Sequence, residues 1–424
     1  MTSAYLLALA PARRTGQILG ITSICSAHPQ VIGAALAFGR SRGGPVLIEA
    51  TCNQVNQDGG YTGMTPADFR AFVMKIAAVE DFDTANLMLG GDHLGPNPWT
   101  HLPSNQAMEK AQGMVAAYVQ AGFGKIHLDA SMACADDPQP LPDATIAARN
   151  AQLAAVAEAQ GMAVPPVYVI GTEVPVPGGA LEEVAHLAVT KPQAAAETVA
   201  LHRAAFLAAG IGAAFDRVVG LVVQPGVEFG NENVLAYAPD AARDLSASLP
   251  TLPMLFEAHS TDYQTPAALA ALVRDGFGIL KVGPGLTFAL REALYALDHI
   301  ADVLHPGRGR SLRETMEVVM LQNPKHWAKY YPGNAGHQQL QRHFSYSDRI
   351  RYYWTDPVAV GAVADLMALF ERTNIPEPLI SQFFGAAYPS VMNGTLAPAA
   401  SALVRAAVTR VLQTYNDACV SARF

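Results

Sequence analysis

The chain has 424 residues, of which 50% are hydrophobic and only 15% charged, with a formal net charge of −8. Such a chain can bury a large core, as one big domain with an extension or as two to three ordinary domains. Its acidic balance gives no basic stripe for nucleic acid and no general attraction to an anionic membrane, and it has no apolar run of about 18 residues that would span one.

The opening MTSAYLLALAPARRTGQ has a short apolar run at 4–10 with Arg13 and Arg14 after it, the reverse of the order in a secretory signal. A frayed segment or a short helix is expected there. The four cysteines (Cys25, Cys52, Cys134, Cys419) make no C-x-x-C pair, which fits incidental thiols in a reduced, cytoplasmic enzyme.

From residue 20 to about 302 the sequence alternates β-branched runs with Ala-rich helical stretches. Strands are predicted at 21–26, 46–51, 87–91, 126–130, 167–171, 218–223, 254–258 and 278–282, each nearly continuous in apolar character, as buried parallel strands are. Thr65 and Pro66 open a helix as cap and first-turn proline, with Asp68 in its first turn. Further helices are predicted at 105–121, 142–160, 192–209, 266–275 and 287–301. Eight βα units over about 280 residues predict an α/β fold, a TIM (β/α)8 barrel, within residues 1–304. The competing open doubly wound sheet lacks its signature, since no G-x-G-x-x-G follows the first strand. Residues 305–424 carry Trp327, Tyr330, Tyr331, Tyr352, Tyr353 and Trp354, with Arg342, Arg349 and Arg351 and helical patterns at 357–372 and 398–418. They predict a C-terminal helical extension packed on the barrel, with 323–354 a candidate lid over its mouth. A plain helical cap with aromatic packing is an equal reading.

The reactive face of a barrel is the C-terminal end of its strands, and there the polar residues collect. The second strand ends in Glu49 and runs into Asn53 and a glycine-rich 59–63. The third ends in LGGDHLGPN, which places Asp92 beside His93; Gly91 and Gly95 are expected to let the backbone approach a bound group. The fourth carries His127 and Asp129 on one face, then Ser131; the fifth ends in Glu173. The sixth ends in Gln224, with Glu228 beyond. The seventh presents Glu257 and His259 on one face, then Ser260 and Asp262; the eighth ends in Lys281 before Gly283-Pro284-Gly285.

Taken singly, each residue has a structural explanation. Glu49 or Lys281 could form a buried ion pair, His127 could be a hydrogen-bonded core histidine, and Glu228 and Asp262 could be solvated. Collected at strand ends they argue for a site, because buried charges are costly unless paired or bound to a metal. His93, Glu173 and His259 could bind a divalent ion with a position left open. Asp92, Asp129 and Glu49 are the catalytic candidates, the first two as proton carriers. Asn53, His127, Ser131 and Gln224 are expected to contact substrate. Ser260, Lys281 and the amides around Gly283 would hold a phosphate. A Schiff base on Lys281, favoured if burial lowers its pKa, ranks below the metal reading.

The stretches GITSICSAHP, LIEATCNQVNQDGGYTGMTPADF, LGGDHLGPN, KIHLDASMACADDP, YVIGTEVPVPGG, VQPGVEFGN, EAHSTDYQ, LKVGPGLTFALREAL and YSDRIRYYW resemble, in the same order and over nearly the whole chain, the Z-type subunit family of class II D-tagatose-1,6-bisphosphate aldolase. The resemblance implies a TIM barrel and a place in galactitol, tagatose or N-acetylgalactosamine catabolism. Members of the family are described as non-catalytic, stabilising partners of the catalytic aldolase subunit or as stand-alone D-tagatose 6-phosphate 4-epimerases. Some carry the name tagatose-6-phosphate kinase, but this chain has no G-x-x-x-x-G-K-[ST] and no protein-kinase signature.

A more distant similarity to the catalytic, zinc-dependent class II aldolases implies Asp92 as a proton-transfer acid and His93 as a metal ligand. It also matches Asp129 to their strand-four aspartate, and Glu173 and His259 to residues of their metal site. Gln224 and Glu228 stand where those enzymes place another metal histidine, a departure from ordinary aldolase zinc geometry. The expectation is a cytoplasmic, metal-dependent 4-epimerase interconverting D-tagatose 6-phosphate and D-fructose 6-phosphate by retro-aldol cleavage and re-addition. Zinc is the first choice of ion, with manganese or magnesium as alternatives. The alternative function is the stabilising aldolase subunit; epimerisation of a free ketose or a hexuronate ranks third. Expected partners are the phosphorylated ketose, an aldolase subunit and further copies of the chain, with no nucleic acid and no membrane.

Overall fold

The computed structural model describes residues 2–172, 187–371 and 373–420. Its strands are β1 (Ile21–Cys25), β2 (Val46–Thr51), β3 (Leu87–Leu94), β4 (Lys125–Leu128), β5 (Val167–Ile170), β6 (Val218–Val222), β7 (Glu228–Phe229), β8 (Val234–Leu235), β9 (Leu255–Ala258) and β10 (Phe277–Val282). Eight of them close in the order β1-β10-β9-β6-β5-β4-β3-β2, while β7 and β8 form a separate antiparallel pair. Every neighbouring pair in the ring is parallel. The fold is the predicted (β/α)8 barrel. Its strands read as continuous apolar runs because the interior packs one face and the helices cover the other; β2, for instance, is buried from Val46 to Ala50.

Helices follow where their caps place them. Asp68 N–H donates to Thr65 Oγ1 at 3.3 Å and Thr65 N–H to Asp68 Oδ2 at 3.0 Å, a capping box that starts helix Pro66–Val79. One helix, Pro29–Arg42, was not foreseen, since Gly33 and Gly39 interrupt its pattern. Its cap is His28, whose Nδ1 accepts the Gln30 N–H at 3.3 Å. The N-terminal segment is a helix, Thr2–Arg14, tied to the barrel by Arg13 and Arg14, which donate to the carbonyls of Val273 at 3.1 Å and Pro253 at 2.9 Å.

Beyond residue 305 the described residues form helices joined by turns and loops, with no strand. The last helix, Ala400–Val420, lies against helices Pro29–Arg42, Pro266–Arg274 and Pro284–Leu304. Leu403, Val408 and Leu412 are buried in that contact, each contributing about 1.5–3 kcal/mol. Tyr415 reaches the barrel rim, donating its hydroxyl to the Thr261 carbonyl at 2.6 Å. The four cysteines are free. Among the described residues no helix is long and apolar enough to cross a membrane.

Candidate active site

Consecutive residues of a regular strand face opposite sides, so Asp92 and His93 could not both point into the barrel. A register shift resolves this: Gly91 pairs with Ile126 but Leu94 with Leu128, leaving two residues of β3 opposite His127. This is a β-bulge, and it re-aims a side chain where a barrel strand ends. His93 takes the left-handed backbone, φ 51°, which costs of order 1–3 kcal/mol in a non-glycine residue. Its backbone N–H donates to His127 Nδ1 at 3.1 Å, and its own Nδ1 meets Asp129 Oδ2 at 2.7 Å. Ser131 in turn donates its hydroxyl to Asp129 Oδ1 at 2.5 Å. Asp129 and Ser131 therefore orient His93.

Beneath this bulge lies a closed ring of buried charge. Lys125 Nζ meets Glu49 Oε1 at 2.6 Å and Glu257 Oε2 at 2.8 Å. Lys281 Nζ meets the other oxygens of the same two acids, at 2.9 and 3.5 Å, and also touches Asp92 Oδ1. The order Lys125, Glu49, Lys281, Glu257 returns to its start. Asp92 Oδ1 also lies 2.8 Å from His127 Nδ1. Lys125 was missed in the sequence although it shares the inward face with His127, two residues on, because the predicted strand began one residue later.

These contacts set the protonation states. Burial lowers the pKa of Lys281, but Asp92 and Glu49 outweigh it and hold the ammonium well above its ordinary range. A lysine held protonated is a poor nucleophile, which keeps the Schiff-base alternative below the metal reading. Burial raises the Asp92 carboxyl, yet His93 and Lys281 hold it well below the ordinary carboxylate range. His259 is pushed down to about 3 by burial and Lys281, and His127 is lowered mainly by burial, so both imidazoles are neutral. Burial likewise disfavours charge on His93, but Asp92 and Asp129 raise its pKa.

Above the ring opens a narrow cleft, which brings together Asn53, Asp92, His93, His259, Ser260, Lys281 and Gly283 of the predicted residues. Glu49 and His127 do not line it; both are fully buried and touch the lining residues Lys281 and Asp92. Gln224 does not join it: its side-chain oxygen accepts the N–H groups of Gly226 at 2.7 Å and Val227 at 3.0 Å, which shapes a turn. Glu173 lies outside the described residues. Glu228 and Asp262 are not solvated but buried, with pKa values pushed up by burial to about 7 and about 6. Asp262 Oδ1 accepts the N–H groups of Gly283 at 2.9 Å and Gly285 at 2.7 Å, so the amides expected to hold phosphate are already engaged. The glycines of LGGDHLGPN serve packing instead of a ligand. A Cβ on Gly95 would sit 1.6 Å from the Asp129 carbonyl oxygen, and one on Gly91 would sit 2.5 Å from the Leu94 side chain. Arg351 and Tyr352 reach the same cleft from far beyond the last strand.

The donors fit a divalent cation. Asp92, His127, Glu257 and His259 offer atoms all within 4.8 Å of one another. This set shares only His259 with the predicted ligands. The rings of His93, His127 and His259 lie 5.0–5.1 Å apart, centroid to centroid. Among the described residues, His127 Nε2 is buried with no hydrogen-bond partner. Three buried carboxylates (Glu49, Asp92, Glu257) face two lysines (Lys125, Lys281), leaving an excess of negative charge. The carboxylate on His93 Nδ1 is the partner that commonly steadies a metal-binding imidazole.

A parallel barrel with acids, histidines and a lysine converging at its mouth defines a (β/α)8 enzyme built for acid–base chemistry. The chain belongs to the D-tagatose-1,6-bisphosphate aldolase subunit GatZ/KbaZ-like family, whose sequence profile matches residues 6–420. It is 55% identical over 421 residues to the D-tagatose 6-phosphate 4-epimerase of Agrobacterium fabrum (strain C58), covering 98% of each chain. The crystal structure of a probable tagatose 6 phosphate kinase from Sinorhizobium meliloti 1021 superposes with a TM-score of 0.89 at 61% identity, over 94% of this chain and 100% of that one.

Proposed function

We propose that this protein is a cytoplasmic ketose-phosphate 4-epimerase interconverting D-tagatose 6-phosphate and D-fructose 6-phosphate. The observation that carries this reading is the intact, buried acid–histidine–lysine centre opening into the cleft; a purely supporting subunit would have no use for it. The name and 98% coverage of the Agrobacterium relative support the substrate.

The reaction runs by retro-aldol cleavage. Asp92, ionised and facing the cleft, takes the proton from the 4-hydroxyl. The C4 oxygen becomes the aldehyde oxygen as the C3–C4 bond breaks, and that electron pair moves into the ketose to give an enediolate. Lys281 places its fixed positive charge beside the oxygens where negative charge grows. The aldehyde fragment turns, C3 adds to its other face, and Asp92 returns the proton to the new C4 oxygen, so atoms and charge balance. When bound, a divalent cation supplies Lewis-acid stabilisation to the ketose oxygens. His259 and His127 would hold it, with His93 as a third imidazole and Asp92 and Glu257 as neighbouring carboxylates. Zinc is the first ion to test, then manganese and magnesium. Segment 323–354, which brings Arg351 and Tyr352 to the cleft, is proposed as the cover that keeps fragments from escaping.

Incubating the purified protein with D-tagatose 6-phosphate, with and without each ion, tests the reading; absence of D-fructose 6-phosphate under every condition refutes it. The family description as an aldolase subunit favours one second reading, a stabilising partner of a catalytic aldolase. That reading predicts co-purification with the aldolase, and loss of the aldolase's activity when this chain is withdrawn.

A further inference from the structure

The cleft leaves few groups free to hold a phosphate. Lys281 and Lys125 are enclosed by carboxylates. The amides of Gly283 and Gly285 donate to Asp262, and the Ser131 hydroxyl to Asp129. Arg349 donates its Nε–H to the His326 carbonyl and lies over the Tyr330 ring.

Arg351 differs. It lines the catalytic cleft and a second cavity of about 330 Å³, and Cys25, Gln54, Tyr61 and Gly283 are also common to both. Its guanidinium is fastened by two backbone carbonyls and a tyrosine hydroxyl. Nη1 donates to the carbonyls of Ser347 and, at 3.1 Å, Asp348; Nη2 donates to Tyr352 Oη at 3.0 Å. Among the described residues it makes no ion pair. Of the five guanidinium N–H donors, the Nε–H and one on Nη2 make no hydrogen bond among the described residues, and the buried carboxyls of Asp348 and Asp262 act on the charge only through space. Tyr61, from the loop after β2, packs edge-on against Tyr352 at 4.6 Å, so two distant segments meet around this arginine.

We propose that Arg351 is the phosphate receptor of the site and so sets its preference for phosphorylated over free ketoses. The inference rests on the epimerase reading and adds the group that recognises the substrate's remote end. Retro-aldol cleavage leaves the phosphate on the aldehyde fragment, which must present its other face without leaving. A phosphate gripped by Arg351 makes that fragment pivot about a fixed end, with room on both sides of the arginine.

The test uses Arg351→Met and Arg351→Lys in the full chain. It measures kcat and KM for D-tagatose 6-phosphate, with calorimetric Kd for the same sugar phosphate and for inorganic phosphate. Losing a two-point, charge-assisted contact predicts about a 100-fold rise in KM and in both Kd values for Arg351→Met. Arg351→Lys, which keeps the charge and loses the fork, should rise about tenfold. Values within about threefold of the parent for a folded variant would overturn the assignment. If the parent binds the sugar phosphate but does not epimerise it, the functional reading fails while the calorimetry still decides Arg351. Should Arg351→Met not fold, Arg351→Lys decides alone.

Discussion

Lys125 offers a stringent test of the charge ring. It is 1% exposed and meets Glu49 at 2.6 Å and Glu257 at 2.8 Å. Methionine in its place has a similar length and fills most of the volume, so the main loss is electrostatic and not a cavity. Removing one partner from a buried ion pair costs about 3–5 kcal/mol. Lys281 still touches both glutamates, at 2.9 and 3.5 Å, which places Lys125→Met toward the lower end, about 3 kcal/mol. The substitution leaves one lysine facing three carboxylates, Glu49, Asp92 and Glu257. Adding Glu49→Gln leaves one lysine facing two and restores the parent's excess of one. The double variant should recover more than half of the loss, an interaction energy of about 1.5–3 kcal/mol. Guanidinium unfolding followed by circular dichroism measures all four corners of the cycle. A Lys125→Met variant within about 1 kcal/mol of the parent, or a double variant that is additively worse, would refute the ring as a cooperative unit.

Three further outcomes are expected. Bound divalent ion, measured by elemental analysis after loading, should fall at least about tenfold in His259→Ala and in His127→Ala; full retention in both would contradict the proposed donors. Burial pushes the Asp348 carboxyl up to about 7, so the folded state holds a proton that the unfolded chain releases near pH 4. Its contribution is complete below that pH and is lost as pH rises toward 7. Asp348→Asn should therefore gain in melting temperature over the parent from pH 5 to pH 8, and a constant difference would show that Asp348 does not titrate there. Gly95→Ala, which drives a Cβ to 1.6 Å from the Asp129 carbonyl, should displace β3 from β4 and cost more than about 3 kcal/mol; an unaltered unfolding midpoint would disprove that close approach.

The fold was legible because its signal is local. Eight apolar runs between Ala-rich helices need only the apolar period and the punctuation of Thr65-Pro66 or Thr265-Pro266 to be read. Much of the polar set was legible too, since strand ends in a barrel share one mouth. What stayed hidden depends on contacts between segments. Asp92 and His93 face the same way only because β3 slips against β4, and no pattern within LGGDHLGPN encodes that slip. Asp262 reads as a solvated loop acid until the β10 turn folds its Gly283 and Gly285 amides onto it. Arg351 is about 70 residues past the last strand, and nothing in its neighbourhood in sequence distinguishes it from Arg349. Packing separates them: Arg349 spends its Nε–H on the His326 carbonyl, whereas Arg351 lines the cleft and its Nε–H makes no hydrogen bond among the described residues. In a fold whose strand ends all converge, sequence identifies which residues can reach the mouth. Their partners decide which remain available for chemistry, and by that criterion Lys281 is a fixed charge, Asp262 a loop cap, and Arg351 the cation left for substrate.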